Sequence, residues 1–247
     1  MSVVPENLDP AATTGELPAA VLWDLDGTMV DTEPLWFEAE YALAARHGAT
    51  WSNEHGKNLV GNSLPVSGAY IREHMGLSMS VEDILEELMR FMETHSAERA
   101  AFQPGALELL AELRDAGVPC ALVTMSYRRL VEPLLPRMGE GAFAATVCGD
   151  EVVHGKPHPE AYLRAAELLG VDPADCIVIE DSPGGAAAGE ASGAPVVVVS
   201  CRSPPRRAMF SLGNNQALVA REECSRPFPV VMVRQRTSGA AVPGGVR

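Results

Sequence analysis

Two carboxylates that could hold a cation or attack a phosphoryl group follow a short apolar run near the N-terminus. Asp24 and Asp26 come directly after residues 19–22, which predict a buried strand. Side chains two residues apart in an extended chain share one face, so both carboxylates would point the same way. Two like charges held this close are stabilised by a cation, and one of them can then act as a nucleophile. Taken alone, Asp-x-Asp is also typical of an ordinary loop turn.

Further apolar runs end in residues that suit phosphate or metal binding. Thr124 offers a hydroxyl at one strand end, and the adjacent acids Glu180 and Asp181 offer carboxylates at another. Lys156, one of only two lysines, stands in a Gly-Lys-Pro-x-Pro string before a predicted helix. Each has an ordinary alternative, namely a strand-end threonine, a surface lysine or an acidic helix start. Because strand ends of an open α/β sheet meet at one ligand-binding edge, their shared placement favours one site.

Strand and helix patterns alternate along most of the chain. This alternation predicts an α/β fold with a Rossmann-like parallel sheet and helices on both faces. The predicted strands are residues 19–25, 119–124, 144–148, 176–179 and 195–199.

Residues 34–102 interrupt this alternation, because they contain no convincing strand. Pro34 suits the first turn of a helix, and Ser80 suits an N-cap before the apolar stripe formed by Ile84, Leu88 and Met92. The segment therefore predicts an inserted all-helical cap domain.

The complete string from Trp23 to Glu33 resembles the first motif of the haloacid dehalogenase-like hydrolase superfamily. That motif is D-x-D-G-T, two hydrophobic residues, then D-[ST]-E. Thr124, Lys156 and the acidic pair at 180–181 are similar to the other three motifs, in the same order. The resemblance covers residues 19–200, and the helical insertion resembles the cap of the β-phosphoglucomutases, phosphoglycolate phosphatases and sugar-phosphate phosphatases.

This resemblance implies phosphoryl transfer through an aspartyl phosphate. It makes Asp24 the nucleophile, and it makes Asp26 the acid that protonates the leaving alkoxide and then the base that activates water. Thr124 and Lys156 would bind the transferring phosphoryl oxygens.

The resemblance also implies a Mg²⁺ ion. Its ligands would be Asp24, the backbone carbonyl of Asp26 and Asp181, with Glu180 bound directly or standing behind them. Oxygen-only ligands suit Mg²⁺, whereas zinc would favour clustered histidine and cysteine.

The cap loop bears on the choice within the superfamily. β-Phosphoglucomutases carry a loop like K-G-x-S-R that grips a second phosphate, whereas residues 60–64 read V-G-N-S-L and lack both cations. Gly61 and Asn62 are candidate substrate-loop residues, although a plain helix–helix turn fits them equally well. Met125 and Ser126 are candidate pocket residues, and Met125 either makes the pocket less polar or packs against it.

We therefore expect a Mg²⁺-dependent phosphatase that acts on a small phosphorylated metabolite such as a sugar phosphate. One alternative is a β-phosphoglucomutase-like phosphotransferase. The other is a catalytically weak relative that only binds such metabolites, because a fold does not fix a function.

Composition limits the partners. The net charge of −14 disfavours nucleic acid, whose binding depends on neutralising phosphates. No apolar run is long enough to span a bilayer, and no signal-peptide pattern occurs, so we expect a cytoplasmic protein without a membrane partner. The five cysteines lack Cys-x-x-Cys spacing and are expected to be small buried hydrophobes. A monomer is the expected state.

The chain divides into four regions on this interpretation. We expect a flexible arm at 1–18, a Rossmann-like core formed by 19–33 and 103–202, and the helical cap at 34–102. The remaining residues, 203–247, form an atypical basic tail that is expected to be poorly ordered apart from a possible strand near residues 228–233.

Overall fold

The computed structural model describes residues 17–59 and 62–199, together with the backbone of three short strands beyond residue 207. Nearly all of the expected N-terminal arm and most of the basic tail lie outside these described residues. Gly61 lies outside them as well. Within the part of the chain that is described, no helix has both the length and the apolar character needed to cross a membrane.

A six-stranded sheet forms the centre of the molecule, in the order β10-β7-β6-β1-β4-β5. Strands β7, β6, β1, β4 and β5 are parallel, and β10 adds to the β7 edge in the antiparallel direction. The predicted α/β parallel sheet is thus confirmed. The strands are β1 (Ala20–Trp23), β2 (Val30–Asp31), β3 (Ala101–Phe102), β4 (Cys120–Val123), β5 (Ala145–Val147), β6 (Cys176–Glu180), β7 (Val196–Val198), β8 (Ala208–Met209), β9 (Arg221–Glu222) and β10 (Met232–Val233).

Helices cover the sheet and form the insertion. Helices α1 to α4 belong to the insertion, α5 follows β3, and the others follow strands of the sheet. They are α1 (Glu33–Arg46), α2 (Asn53–Lys57), α3 (Leu64–Met75), α4 (Val81–Arg99), α5 (Ala106–Asp115), α6 (Arg128–Val131), α7 (Leu135–Met138), α8 (Glu160–Leu169) and α9 (Pro183–Ser192).

Strand β1 shows why both faces of the sheet are covered. Its side chains alternate in direction, and all four are buried. Ala20 and Leu22 belong to an apolar cluster with α8 and α9, whereas Val21 and Trp23 belong to a second cluster with α5, α6, α7 and the insertion. The sheet therefore lies between two layers, as a parallel sheet requires.

The insertion is helical, as predicted, and packs around its own apolar stripe. Ser80 caps α4 by accepting a hydrogen bond from the backbone N–H of Asp83, which is the predicted N-cap. Ile84 and Leu88 are buried on the face of α4 that meets α1 and α3. Gly68 allows the approach of α3 to α4, since a Cβ there would lie 2.8 Å from Cγ1 of Val81.

Two details differ from the sequence-based expectation or refine it. The segments that lead into and out of the insertion pair as a short antiparallel ribbon, with Val30 opposite Phe102. Two-residue strands carry no periodicity, which is why the pattern did not predict them. The stretch with Pro133 and Pro136 is divided into the short helices α6 and α7, because proline disrupts a helix interior.

Candidate active site

The predicted chemical residues meet at the carboxyl edge of the sheet. Asp24 follows β1, Thr124 follows β4, and Glu180 and Asp181 stand at the end of β6. Since β1 lies between β4 and β6, these three strand ends are neighbours. Lys156 comes from the loop between β5 and α8. The structure therefore brings together, at one edge, side chains up to 157 positions apart in the sequence.

A buried ion cluster lies at the centre of the site. Nζ of Lys156 is 2.7 Å from Oδ1 of Asp24 and 2.6 Å from Oε1 of Glu180. It also donates to the backbone carbonyl of Val123 at 2.9 Å. These three acceptors use all three N–H donors of the ammonium. Lys156 as placed therefore holds Asp24, and a direct contact with a phosphoryl oxygen requires one of these bonds to be exchanged.

Glu180 is fully buried and is surrounded by donors. Its Oε1 accepts from Lys156 and from the hydroxyl of Tyr162 at 2.9 Å. Its Oε2 accepts from the hydroxyl of Ser182 at 3.0 Å and from the backbone N–H groups of residues 181 and 182 at 3.1 Å. Gly185 leaves space for this carboxylate, because a Cβ there would lie 1.7 Å from Oε1. This arrangement favours a role in positioning Lys156 over direct metal binding.

Asp26 is held by three hydroxyl groups. Thr32 donates to its Oδ1 at 2.7 Å, while Thr124 and Ser126 donate to its Oδ2 at 3.1 and 2.7 Å. The hydroxyl of Thr124 in turn accepts from the backbone N–H of Ser126 at 3.0 Å. The carboxylate is thus fixed in direction at the site's mouth, where residues from β1, α1 and β4 converge.

An acidic cluster suited to a hard cation lies beside Lys156. Ligand oxygens of Asp24, Glu180 and Asp181 all lie within 4.8 Å of one another. Asp181 is positioned by Thr28, whose hydroxyl donates to its Oδ1 at 3.3 Å. Gly27, with φ +87°, makes room for it, because a Cβ there would lie 2.2 Å from Oδ2. The donors are all oxygen, which fits Mg²⁺.

The pKa shifts within this cluster also favour a bound cation. Burial, together with the charge of Glu180, raises the pKa of Asp24 well above its usual range, although Lys156 opposes this. Burial and Glu180 also raise the pKa of Asp181 to about 6. Burial lowers the pKa of Lys156, but the carboxylates facing it outweigh burial and raise the pKa well above its usual value. The carboxylates thus exceed the charge that Lys156 supplies, and a divalent cation would offset the excess.

The remaining candidate residues are divided between the site and its surroundings. Ser126 joins the site through Asp26, whereas Met125 packs beneath the lysine loop, with its sulfur accepting from the backbone N–H of Lys156 at 3.3 Å. Asn62 is exposed, and its amide donates to the backbone carbonyl of Asn58 at 2.9 Å. The cysteines described at positions 120, 148 and 176 are buried and free, as expected, and burial raises their pKa values to about 11, 12 and 11.

Sequence reasoning did not assign several residues that contact the chemical groups. Thr28 and Thr32 lie within the first motif, so their positions were visible although their partners were not. Tyr162 is a buried residue of α8 that belongs to none of the motifs. Its hydroxyl partner is set by the packing of α8 against β6, which no local pattern encodes.

A small pocket opens from Asp26 towards the insertion. Its wall combines core residues with Trp36 from α1 and Met92 from α4. Its lining is largely apolar and contains no basic side chain. The lining residues are Leu25, Asp26, Thr32, Trp36, Met92, Ser96, Ser126, Leu130 and Leu134.

Comparison with models of known families assigns the chain to one of them. The model of a family described as haloacid dehalogenase-like hydrolase matches residues 18–193. The chain belongs to this family. The match includes all four motifs and the helical insertion.

Individual relatives of this haloacid dehalogenase-like hydrolase are phosphatases by name. Hexitol phosphatase A from Escherichia coli is 36% identical over 185 residues, which cover 72% of this chain and 82% of the relative. The bifunctional riboflavin kinase/FMN phosphatase from Arabidopsis thaliana is 35% identical over 189 residues, which cover 74% of this chain but only 49% of the relative. Among solved structures, CbbY from Rhodobacter sphaeroides in complex with phosphate has a TM-score of 0.68 at 27% identity, covering 76% of this chain and 90% of that chain.

Proposed function

We propose that this hydrolase is a Mg²⁺-dependent phosphatase that cleaves a small phosphomonoester through an aspartyl phosphate on Asp24. The observation that carries the proposal is the buried carboxylate of Asp24, held by Lys156 beside an acidic cluster and close to the hydroxyl-bound Asp26. Family membership and the phosphatase names of the relatives support the same reaction class.

In the first half of the reaction, Asp24 attacks phosphorus. Lys156 holds Oδ1, so Oδ2 is the atom that forms the new bond to phosphorus while the bond to the ester oxygen breaks. Asp26 gives its proton to the departing alkoxide. The ammonium of Lys156 reduces the repulsion between the carboxylate and the phosphate dianion.

In the second half, water hydrolyses the aspartyl phosphate and displaces Asp24 from phosphorus. Asp26, now a carboxylate, takes a proton from water as the water oxygen bonds to phosphorus, and the bond from phosphorus to Oδ2 of Asp24 breaks. The hydroxyls of Thr32 and Ser126 keep Asp26 directed at the reacting group through both halves. Inorganic phosphate leaves, and both aspartates return to their starting states.

Asp24 and Asp181, with the backbone carbonyl of Asp26, would hold Mg²⁺. When bound, the ion supplies positive charge to the phosphoryl oxygens and to the nucleophile. Glu180 supports the site from behind by fixing Lys156, because its two oxygens are already surrounded by donors. The proposal therefore gives Glu180 a positioning role.

The leaving group is expected to be small and uncharged. The pocket that opens from Asp26 is narrow, largely apolar and free of basic side chains, so it offers no grip for a second phosphate. The loss of both cations from the cap loop supports the same conclusion and favours hydrolysis over a mutase reaction. A phosphorylated sugar or polyol carries no second phosphate and so meets the condition set by the missing cations, and two relatives are named hexitol phosphatase A and phosphorylated carbohydrates phosphatase.

Phosphate release from a panel of esters tests the proposal. The panel contains hexose and hexitol phosphates, phosphoglycolate, glycerol phosphate, nucleotides and a sugar bisphosphate, each with Mg²⁺ and with EDTA. We expect Mg²⁺-dependent release from monophosphates with neutral leaving groups. Conversion of a hexose 1-phosphate to its 6-phosphate without phosphate release would show the phosphotransferase instead, and binding without turnover of any ester would show the non-catalytic relative.

A further inference from the structure

A second group of metal-ligating side chains lies outside the active site. Among the described residues, the structure contains two clusters of three or more such side chains, and one of them consists of His154, His158 and Glu160. One ligand atom from each lies within 4.8 Å of the others. Unlike the oxygen-only cluster of the active site, this group offers two imidazoles and one carboxylate.

The distances within this group suit a transition metal. Nδ1 of His154 is 2.9 Å and Nδ1 of His158 is 4.0 Å from Oε2 of Glu160. Donors around a tetrahedral Zn²⁺ with bonds of about 2.0–2.1 Å are about 3.3 Å apart, so the observed separations lie on either side of the required one. A small rotation of the two exposed rings would bring all three donors to the ion.

Glu160 is prepared to act as an anionic ligand. Its two oxygens accept from the backbone N–H groups of Val153 at 2.7 Å and His154 at 2.9 Å, which fix the carboxylate at the start of α8. These backbone hydrogen bonds, together with the one from the ring of His154, lower the pKa of Glu160, so it is ionised at neutral pH. Nδ1 of His154 also lies within hydrogen-bond distance of Oε2 of Glu160, at 2.9 Å, and an ion bound between them would replace this contact.

The two histidines are accessible from solvent. Their side chains are 62% and 52% exposed, so an ion can reach them from solvent. The hydrogen bond from the backbone N–H of Glu160 to Nδ1 of His158 is long, at 3.3 Å. Exposed imidazoles near a carboxylate, with the remaining positions open to water, are a donor set that Zn²⁺ accepts.

We propose that His154, His158 and Glu160 form a surface binding site for a transition-metal ion such as Zn²⁺, distinct from the Mg²⁺ site. Both histidines stand two positions from Lys156 in the chain, one on each side. An ion shared between them joins the two flanks of the loop that delivers Lys156 to Asp24. Binding therefore restrains that loop.

Calorimetric titration with ZnCl₂ tests the site directly. Tag-free protein is titrated in the presence of excess Mg²⁺, so that the active-site carboxylates are occupied. We expect one Zn²⁺ site in the parent protein, and we expect His154→Ala and His158→Ala each to weaken it by at least about tenfold. Unchanged stoichiometry and affinity in both variants would overturn the proposal.

His47→Ala is the matched control. His47 is also paired with a glutamate, since its Nε2 lies 3.2 Å from Glu87, but within the described residues this pair is not part of a cluster of three metal-ligating side chains. Its removal is expected to leave Zn²⁺ binding unchanged. Thermal unfolding without Zn²⁺ should be alike for all three variants, because each of the three side chains is at least 30% exposed.

Hydrogen exchange tests the effect on the loop. Zn²⁺ should slow amide exchange in residues 153–158 of the parent protein and not in the His154→Ala variant. Slowing confined to other segments would show that the ion binds elsewhere. Neither measurement depends on turnover, so a failure of this proposal is distinguishable from a failure of the proposed phosphatase activity.

Discussion

Glu180 is one of two buried carboxylates that hold Lys156, and the other is Asp24. Glu180 collects five donors, and only one of them is Lys156. The other four come from Tyr162 and from the start of α9, so the carboxylate is anchored independently of the lysine. It therefore acts as a fixed support that directs the ammonium at Asp24.

Gly185 provides a test of this support. A Cβ at Gly185 would lie 1.7 Å from Oε1 and 1.9 Å from Cδ of Glu180, so Gly185→Ala must displace the carboxylate. We expect a loss of about 1–3 kcal/mol in the free energy of unfolding, the usual cost of overpacking. Urea titration followed by circular dichroism measures it, and phosphate release should fall as Lys156 loses its support.

The neighbouring glycine is the control for this experiment. A Cβ at Gly184 would meet nothing within 4 Å, and Gly184 lies in the same helix. Gly184→Ala should therefore be neutral or stabilise the helix by up to about 1 kcal/mol. Equal destabilisation by both substitutions would mean that helix α9, and not Glu180, responds to the change.

For single residues, the sequence predicted which ones reach the site better than it predicted which groups their side chains contact there. Asp24, Thr124 and Asp181 follow strand ends, so the sheet brings them together whatever their side chains do, whereas Lys156 reaches them from the loop between β5 and α8. The inward direction of Glu180 could not be predicted, because it depends on Tyr162 in another element. Side-chain direction is decided by packing between elements, which one-dimensional spacing does not contain.

At the scale of elements, an ion cluster joins the insertion to the core. Arg129 of α6 donates from Nη1 to Glu86 at 2.7 Å and from Nη2 to Glu93 at 3.0 Å, and both glutamates belong to α4. These side chains are about one-third to two-fifths exposed, so solvent screens their attraction. Helix α4, which carries both glutamates, also supplies Met92 to the pocket.

Arg129→Gln should loosen the contact between cap and core without unfolding either. A cap that spends less time closed lowers the fraction of enzyme ready to bind, so KM for the best ester should rise about two- to threefold. Added NaCl should raise the KM of the parent protein and affect the variant less. Initial-rate kinetics at several salt concentrations measure both effects.

Arg99→Gln is the comparison for Arg129→Gln. Arg99 pairs with Glu38 at 2.8 Å, and both residues lie within the insertion. This substitution removes an exposed ion pair of similar type but leaves the contact with the core intact. An equal rise in KM for both variants would contradict the assignment of Arg129 to the cap–core contact.

The larger elements were predictable and the small ones were not. The position of Pro34 indicated α1, and Ser80 with the apolar stripe after it indicated α4. The ribbon of β2 and β3 was missed, because its two-residue strands are shorter than the period needed to recognise them. It pairs the two connections between core and insertion, and Arg137 stacks over the ring of Phe102 at this junction.

For the whole molecule, one buried group of the insertion makes stability depend on pH. Burial raises the pKa of Glu40 to about 7, although a hydrogen bond from Nε1 of Trp51 at 2.9 Å opposes this. The folded protein therefore binds this proton more tightly than the unfolded chain, whose usual pKa is 4.5. Stability from this group is full below about pH 4.5 and is lost as pH rises through about 7.

Glu40→Gln removes this dependence. Because one pKa unit corresponds to about 1.4 kcal/mol, the parent protein should lose up to about 3 kcal/mol relative to the variant between pH 4.5 and pH 8. The glutamine still accepts from Trp51, and all other titrations are shared. Urea unfolding of both proteins across this range measures the difference, and parallel curves would show that Glu40 does not titrate there.

The net charge of −14 makes local positive charge necessary at the active site. An acidic molecule repels an anionic substrate at long range, so positive charge must be placed where the phosphate binds. The structure meets part of this requirement with Lys156 beside Asp24. The basic residues of the tail lie outside the described residues.

The central claim, that Asp24 attacks phosphorus, is tested most directly by Asp24→Asn. Phosphate release from the best ester is measured with saturating Mg²⁺ for the parent protein, for Asp24→Asn and for Asp31→Asn, an exposed aspartate of the same motif. We predict that Asp24→Asn lowers kcat by at least about 10³-fold while remaining folded, and that Asp31→Asn stays within about twofold of the parent. An Asp24→Asn enzyme that keeps more than about a tenth of the parent activity would contradict the account.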